Sequence, residues 1–309
     1  MIPSRLNSVF LKHSSKFNNI RFFSSLKKTA LYNDHITLGG KMIDFAGYSL
    51  PITYKDGIIS SHKHCRESAS IFDVSHMGQV LITGTNREKF VELVTVADCS
   101  TLNNNQGRLA SILNENGYML DDCIVNKKEN HIYMIVNGAC KDNDMKHMSN
   151  ILKEFHNTID KDSNNKVQLE LLPDTRSLIA LQGPKAYKVL EKFIDNNINL
   201  SSISFMESFE SNINKLDNTN VWITRCGYTG EDGFEISVDS QYASQLWQLF
   251  INEPEVKAAA LAARDSLRLE AGLCLYGHDI NDTVTPIEGN LNFTITKKRR
   301  QDGNFIGSK

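Results

Sequence analysis

Short runs in which apolar and polar residues alternate occur along much of the chain. A period of two residues is typical of β-strands, and turn residues bound most of these runs. Two of the runs are separated by an Asn-Glu-Asn-Gly turn and predict a hairpin, to which the next run adds a third strand. The strands predicted in this way cover residues 78–83, 108–113, 118–125, 131–136, 178–181, 221–224 and 234–238.

Other segments carry apolar residues at helical spacing and predict amphipathic helices between the strands. We expect Ser240 to cap the helix after the second hairpin, and Asp265 or Ser266 to cap a short helix that stops at Gly272. Residues 31–51 predict only short strands with glycine turns. The remaining helices are predicted near residues 87–96, 145–155, 186–194 and 242–250.

The segment 225–238 is rich in glycine and predicts a strand, a tight turn and a second strand. Gly227, Gly230 and Gly233 are expected to supply positive-φ positions, and Glu235 alternates with apolar neighbours. From these residues alone, the simpler interpretation is an acidic hairpin with Glu235 in solvent. A ligand-binding loop is the alternative, because glycine spacing by itself is weak support for a phosphate loop.

Two adjacent carboxylates, Asp121 and Asp122, interrupt the apolar strand 118–125. Carboxylates are costly to bury without partners, so their position inside a strand is unusual. Successive side chains of a strand point to opposite faces, and at most one of the two can therefore enter a given pocket. A desolvated carboxylate has a raised pKa and can accept a proton. The alternative is that both end the strand at a solvated turn, and the residues do not decide between the faces.

Composition limits the classes of function. The chain has 309 residues, 23% charged and 40% hydrophobic, with a net charge of -2, which is typical of a globular protein and argues against nucleic-acid binding. No apolar run approaches the length of a membrane span. Six scattered cysteines without a CxxC pair predict reduced residues. His62, His64, Cys65 and His76 lack the spacing of a metal site, so we expect no metal.

Three basic features remain. Residues 1–33 contain no Asp or Glu but carry six Lys or Arg residues and six serines, the composition of a cleaved mitochondrial transit peptide. The run 297–300, Lys-Lys-Arg-Arg, is either a solvated edge or a docking point for an acidic partner. Arg264 is expected near a helix N-terminus, where an anion is favoured, although an ordinary surface pair explains it equally well.

Five motifs, in order, resemble the T-protein or aminomethyltransferase family of the glycine cleavage system, and the resemblance extends from about residue 30 to the end of the chain. The motifs are Asp73-Val74-Ser75-His76-Met77, the segment from Asn116 to Asp122, Ala180-Leu181-Gln182-Gly183-Pro184, the segment from Arg225 to Val238, and the segment from Ala262 to Gly277 with the runs 278–280 and 285–289.

The resemblance implies an enzyme that transfers a one-carbon unit from the aminomethyl-lipoyl arm of H-protein to tetrahydrofolate, with release of ammonia. It implies that Asp122 is the catalytic residue and that Glu235, Arg264, Met77 and Tyr133 bind the folate. It also implies a monomer without a metal in the mitochondrial matrix, with lipoylated H-protein as partner and looser contact with the P- and L-proteins.

The family's fold is expected to be α+β, with mixed antiparallel sheets and flanking helices in two interleaved lobes. We expect a transit peptide at 1–26, the folate-binding region at 27–290, and at 291–309 the start of a C-terminal β domain that is largely missing. A truncated inactive isoform or a folate-binding relative without one-carbon transfer is the alternative. The Lys-Gly-Cys-Tyr-x-Gly-Gln signature of the folate-binding relatives that serve iron-sulfur assembly is absent from the sequence. The Gly-x-Gly-x-x-Gly motif is absent too, although the dinucleotide-binding unit of a flavin-linked sarcosine or dimethylglycine dehydrogenase would need it.

Overall fold

The computed structural model describes residues 26–172 and 174–309, so the predicted transit peptide at 1–26 lies outside the described residues apart from Leu26. The described residues form strands β1 Lys41–Phe45, β2 Tyr48–Thr53, β3 Ala69–Asp73, β4 Gly78–Thr83, β5 Gly107–Leu113, β6 Met119–Lys127, β7 Ile132–Val136, β8 Gln168–Leu171, β9 Arg176–Gln182, β10 Ser208–Ile213, β11 Thr219–Thr224, β12 Gly233–Asp239 and β13 Val256–Ala258. The helices are α1 Tyr32–Thr37, α2 Gly57–Glu67, α3 Arg87–Val94, α4 Lys141–Thr158, α5 Ala186–Leu190, α6 Ser240–Ile251, α7 Leu261–Glu270 and α8 Lys297–Asp302.

The fold is built on two large sheets, and the chain passes from the first sheet to the second and then returns to the first. The six-stranded sheet has the order β10-β11-β12-β9-β3-β13, and the five-stranded sheet has the order β5-β6-β7-β4-β8. Every pair is antiparallel except β13 with β3, which is parallel. Because β3 and β9–β13 flank the strands of the other sheet in sequence, the two lobes are interleaved, and the expected α+β fold is confirmed.

Each sheet is covered on its outer face by helices and on its inner face by the other sheet. The outer face of the five-stranded sheet packs on Phe90 of α3 and Phe155 of α4. The outer face of the six-stranded sheet packs on Phe193 and on Trp247 and Phe250 of α6. A smaller cluster between the two inner faces contains Tyr133, Ile135, Leu178 and Ala180. This double coverage explains why the central strands are buried on both faces.

Strand β12 shows how alternation divides a strand between these layers. Phe234, Ile236 and Val238 belong to the outer core with α6, so Glu235 and Ser237 point to the inner layer between the sheets. Glu235 is only 6% exposed. The solvated position that the residues alone favoured for Glu235 is therefore wrong.

Several predicted boundaries need correction. The run 31–51 contains helix α1 before the β1–β2 hairpin, although its glycine turns are present. Helix α6 begins at Ser240, with Asp239 in the cap position and no side-chain cap hydrogen bond, so Ser240 is not the cap. Helix α7 begins at Leu261, which places Asp265 and Ser266 inside it rather than at its start.

The basic run 297–300 is not a uniform charged surface. Helix α8 contains these residues, and Arg299 is buried and donates hydrogen bonds to the carbonyls of Glu92, Thr95 and Asn304. It thereby satisfies backbone acceptors at the end of α3, which would otherwise be unpaired. The other three basic residues of the run are exposed.

No helix among the described residues is long and apolar enough to cross a membrane.

Candidate functional site

The cavity between the two sheets lies at the inner cluster. Its wall is built from β6 and β7 on one side and from β9, β11, β12 and the loop before β12 on the other. The lining residues are Ile124, Asn126, Tyr133, Ile135, Leu178, Trp222, Thr224, Cys226 and Glu235. Apolar and aromatic side chains around a few convergent polar groups are the usual lining of a small-molecule site.

Glu235 supplies the charge of this cavity. Burial raises the pKa of its carboxyl, and the nearby charge of Arg264 opposes that rise. The thiol of Cys226, a weak donor, is the hydrogen-bond partner that the described part of the chain offers this carboxylate. A buried carboxylate without a strong partner is costly to the folded protein, which is the condition expected of a group that awaits a ligand.

Arg264 lies in the first turn of α7 and faces Glu235 without forming a direct ion pair among the described residues. Its guanidinium carbon lies 4.7 Å from the centroid of the Tyr228 ring, a cation–π arrangement. Its Nη1 atom is buried and has no hydrogen-bond partner in the described residues. The Tyr228 hydroxyl donates to the backbone carbonyl of Cys274, which fixes the ring beneath the guanidinium. Arg264 also lines a second cavity with Asp73 and Phe72.

The loop 225–232 holds Glu235 in place, and it is longer than the predicted tight turn. Arg225 donates two hydrogen bonds to the Asp232 carboxylate, from Nε to Oδ1 at 2.8 Å and from Nη2 to Oδ2 at 2.7 Å. This bidentate pair joins the two ends of the loop. The buried side chain of Gln182 donates to the carbonyl of Cys226 at 3.0 Å and accepts from the Thr229 hydroxyl at 3.0 Å. The loop is therefore docked on β9 from both sides.

The expected positive φ is found at Gly230 alone, where φ is 78°. Positions 227 and 233 need glycine for a different reason, because a Cβ atom at either position would overlap the side chain of Gln182. Two of the three glycines therefore allow close approach to Gln182 and not an unusual backbone angle.

Asp122 lies on the inner face of β6, two positions from Ile124 and four from Asn126, both of which line the cavity. Burial, and next the charge of Asp121, raise the pKa of Asp122 to about 7. Asp121 points to the opposite face and is fully buried. Both carboxylates lie inside a nine-residue strand. The alternative interpretation, in which both end the strand at a solvated turn, is therefore wrong.

Asn137, which follows β7, connects the two aspartates. Its side-chain amide donates to Oδ1 of Asp121 at 2.8 Å and to Oδ1 of Asp122 at 2.9 Å, and its backbone N–H donates to Oδ2 of Asp121 at 2.9 Å. Sequence reasoning did not single out Asn137, because nothing in its local sequence distinguishes it. Asn126 was missed for the same reason, and its buried Oδ1 has no partner within the described residues.

Tyr133 and Met77 take different parts in the site. Tyr133 is buried in the cavity wall, donates to Oε1 of Gln79 at 2.7 Å and packs edge-on against Trp222. Met77 packs against the inner cluster at its edge and does not line the cavity itself. Tyr133 and Glu235 thus share one cavity, while Asp122, Arg264 and Met77 lie around it.

The histidines and cysteine near residues 62–76 do not converge. His62 contacts Ser266 and Glu270, whereas His64 contacts the carbonyl of Glu255. His76 is buried, and burial lowers its pKa to about 4. Across residues 26–172 and 174–309, no group of three or more His, Cys, Asp or Glu side chains is placed to hold a metal ion.

The hydrogen-bonding groups in and around this cavity fit a fused aromatic heterocycle that carries several N–H groups. A carboxylate such as Glu235 accepts two adjacent N–H bonds from such a ring, and the unpartnered guanidinium atom of Arg264 and the amide oxygen of Asn126 provide one donor and one acceptor. These buried atoms leave one donor and one acceptor for a polar ligand.

Comparison with known proteins identifies the family. The model of the GCVT N-terminal domain matches residues 31–299. The chain is 44% identical over 300 residues to a mitochondrial aminomethyltransferase of Dictyostelium discoideum, covering 94% of this chain and 72% of that protein. It is 45% identical over 285 residues to the mitochondrial aminomethyltransferase of Homo sapiens, covering 92% and 68%.

A solved structure agrees with these relatives. The crystal structure of glycine cleavage system aminomethyltransferase T from Bartonella henselae superposes with a TM-score of 0.81 at 35% identity, covering 92% of this chain and 73% of that chain. The chain thus spans about seven tenths of the relatives that it matches. On the family model, the identities and the shared fold, this chain belongs to the GCVT family of glycine cleavage system aminomethyltransferases.

Proposed function

We propose that this chain uses the cavity between its two sheets to bind tetrahydrofolate for the aminomethyltransferase reaction of the glycine cleavage system. The observation that carries the proposal is the buried Glu235 carboxylate in the wall of this cavity, which lies near the charge of Arg264 without a direct ion pair. Both groups have hydrogen-bonding capacity that the described residues leave unused. A pteridine, which presents adjacent N–H donors and a ring carbonyl, complements such a pair.

The proposed roles divide binding from chemistry. Glu235, Arg264, Tyr133 and Met77 bind and orient the folate, which supplies the nitrogen that accepts the one-carbon unit. Asp122 is the proposed catalytic residue. With a pKa near 7 its carboxyl can accept a proton and return it within the same pH range, as a general acid–base group requires. Asn137 fixes the orientation of that carboxyl with a hydrogen bond of 2.9 Å.

The proposed partners and location follow from the reaction and from the relatives. The donor of the one-carbon unit is the aminomethyl-lipoyl arm of H-protein. The P- and L-proteins, the other components of the system, are expected to associate with this chain more loosely. Both relatives compared above are mitochondrial aminomethyltransferases, which supports a mitochondrial location, and we propose the matrix in particular. A monomer without a bound metal remains our expectation.

We propose the division into a transit peptide at 1–26, a folate-binding region at 27–290 and a following segment at 291–309. In the described residues that last segment contains α8, and Arg299 anchors it to α3. Leu291, Ile295 and Phe305 pack into the core of the five-stranded sheet.

The test combines binding and turnover in one series. Tetrahydrofolate is titrated into the purified chain, and formation of 5,10-methylenetetrahydrofolate from aminomethylated H-protein is then measured. Asp122→Asn should abolish turnover and leave folate affinity largely intact, whereas Asp142→Asn, an exposed change on α4, should alter neither. Full turnover by Asp122→Asn would refute its assigned role. A chain that binds no folate would refute the proposed site.

A further inference from the structure

A set of polar contacts joins the two sheets beside the cavity wall. Gln79 of β4 is 3% exposed and is not among the residues that line the cavity. Its Oε1 atom accepts from the hydroxyl of Tyr133 on β7, at 2.7 Å, and from the hydroxyl of Ser237 on β12. Its Nε2 atom donates to the backbone carbonyl of Arg176 on β9 at 3.1 Å. Gln79 therefore connects the five-stranded sheet with two strands of the six-stranded sheet.

The direction of each hydrogen bond in this set follows from the chemistry of the groups. A backbone carbonyl can only accept, so the amide nitrogen of Gln79 faces Arg176 and the amide oxygen faces the two hydroxyls. Arg176 donates from Nε to Oγ of Ser237 at 2.8 Å, which leaves the Ser237 hydroxyl to donate its only hydrogen to Gln79. The Tyr133 hydroxyl also donates its only hydrogen to Gln79. The contacts among Arg176, Ser237 and Gln79 therefore form a closed ring in which each donor meets an acceptor.

The same contacts support the aromatic part of the cavity wall. Trp222 and Tyr133 both line the cavity, and their rings pack edge-on with 5.4 Å between centroids. The guanidinium carbon of Arg176 lies 3.8 Å from the centroid of the Trp222 ring, a cation–π arrangement. Asp239 accepts from Nη1 of Arg176 at 3.2 Å and balances its charge. Arg176 thus contacts one ring of the wall and Gln79 the other, and these two residues are hydrogen-bonded to each other.

The hydrogen bonds of Gln79 give the layer between the sheets a defined geometry. The rest of this layer is a cluster of apolar side chains, and apolar contacts have no preferred direction. Hydrogen bonds do have a preferred direction, and a fully satisfied buried network favours one arrangement of the groups that it joins. An apolar side chain in place of Gln79 would leave the buried hydroxyls of Tyr133 and Ser237 without their acceptor, so both would gain by moving towards new partners.

We propose that Gln79 is a positioning residue for the folate cavity, which fixes the rings of Tyr133 and Trp222 through its hydrogen bonds to both sheets. Tyr133 then meets the ligand with its ring, because the hydrogen of its hydroxyl is already given to Gln79. The inference rests on the proposed function. It assigns Gln79 no contact with the folate or with the reacting atoms.

Substitutions at Gln79 and Tyr133 test this role by calorimetric titration with tetrahydrofolate. Gln79→Met keeps the length of the side chain but removes its donor and acceptor, and it should weaken binding about tenfold because the two rings are no longer held ready for the ligand. Gln168→Met, the same change at an exposed position of β8, should leave the affinity unchanged. Tyr133→Phe should bind within about threefold of the wild type, since it leaves no buried hydroxyl without a partner and keeps the ring.

A measurement on the protein without folate separates positioning from a loss of stability. The chain has two tryptophans, Trp222 in the cavity wall and Trp247 in the outer core, so labelling with fluorotryptophan gives two fluorine resonances, which Trp247→Phe assigns. Gln79→Met should shift or broaden the Trp222 resonance and leave that of Trp247 unchanged, because the change is confined to the cavity wall. Gln168→Met should move neither resonance.

Three results would overturn the proposal: wild-type folate affinity in Gln79→Met, an unmoved Trp222 resonance in that variant, or a tenfold or greater loss of affinity in Tyr133→Phe. If Gln79→Met does not fold, Ser237→Ala decides, because it removes the hydroxyl between Gln79 and Arg176. That variant should shift the Trp222 resonance alone, and an unmoved resonance would refute the inference. A wild-type chain that binds no tetrahydrofolate would refute the proposed function, and the Trp222 resonance of the free protein would then decide the positioning by itself.

Discussion

Replacing Asp122 with asparagine should stabilise the folded protein, and increasingly so as pH rises. The ordinary pKa of an aspartate is 3.8, and burial with the charge of Asp121 raises that of Asp122 to about 7. A raised pKa means that the folded state binds the proton more tightly than the unfolded chain. The resulting stability is fully present below pH 3.8 and is lost as pH rises through 7.

The size of the effect follows from linkage at about 1.36 kcal/mol for each unit of pKa shift. Relative to the wild type, Asp122→Asn should gain about 2 kcal/mol at pH 5 and about 4 kcal/mol at pH 8, so its advantage should roughly double across that range. The hydrogen bond from Asn137 is kept, since the asparagine oxygen still accepts it. The gain therefore reports desolvation of the charge and not a change in packing.

Urea unfolding of both proteins at pH 5 and pH 8 measures the difference. A buried carboxyl that is not coupled to Asp122, such as that of Glu235, contributes to both proteins and largely cancels. Asp142→Asn serves as the control, because this exposed change on α4 should show no such increase. A stability difference for Asp122→Asn that is equal at the two pH values would refute the argument that burial holds this carboxyl in an unfavourable charged state.

Three further substitutions test the cavity and its support. Glu235→Gln should weaken tetrahydrofolate binding about 10- to 100-fold without lowering the melting temperature, measured by calorimetry, because a charged acceptor is lost where no strong protein partner exists. Gly227→Ala should destabilise by about 1–3 kcal/mol in urea, since a Cβ atom at this position meets the side chain of Gln182. Arg299→Leu should cost about 1–3 kcal/mol in the same assay by leaving carbonyls at the end of α3 unpaired. A Gly227→Ala or an Arg299→Leu protein as stable as the wild type would contradict the packing described.

The docking of the 225–232 loop on Gln182 gives the glycine-rich motif its physical basis. Gln182 and Gly227 are distant in sequence, but Gln182 on β9 lies against the loop that contains Gly227. A side chain at Gly227 or Gly233 would therefore displace the Gln182 amide that holds the loop. The position of Glu235 thus depends on a buried glutamine as much as on the loop itself. The melting temperature of Gly227→Ala should accordingly fall together with its folate affinity.

Local sequence was sufficient for much of the fold. The alternation of residues 108–113, 118–125 and 131–136 predicted β5, β6 and β7, and the apolar side of 234–238 correctly placed Phe234, Ile236 and Val238 on one face. Alternation also showed that Asp121 and Asp122 point in opposite directions. These features depend on the period of a strand, which neighbouring residues determine.

Tertiary structure decided which face each of these residues meets. Asp121 lies against α4 and Asp122 lies on the face of β6 that lines the inter-sheet cavity, a choice that depends on the layers packed on either side of the strand. Helix α1 and the start of α7 were missed because propensity is a weak prior that tertiary contacts override. The hydrogen bonds of Asn137 with the two aspartates join residues 16 and 15 positions apart, and no local pattern encodes them. Sequence alone therefore identified the strands and the charged residues on them, whereas the packing of two sheets decided which carboxylates are buried and which face the cavity.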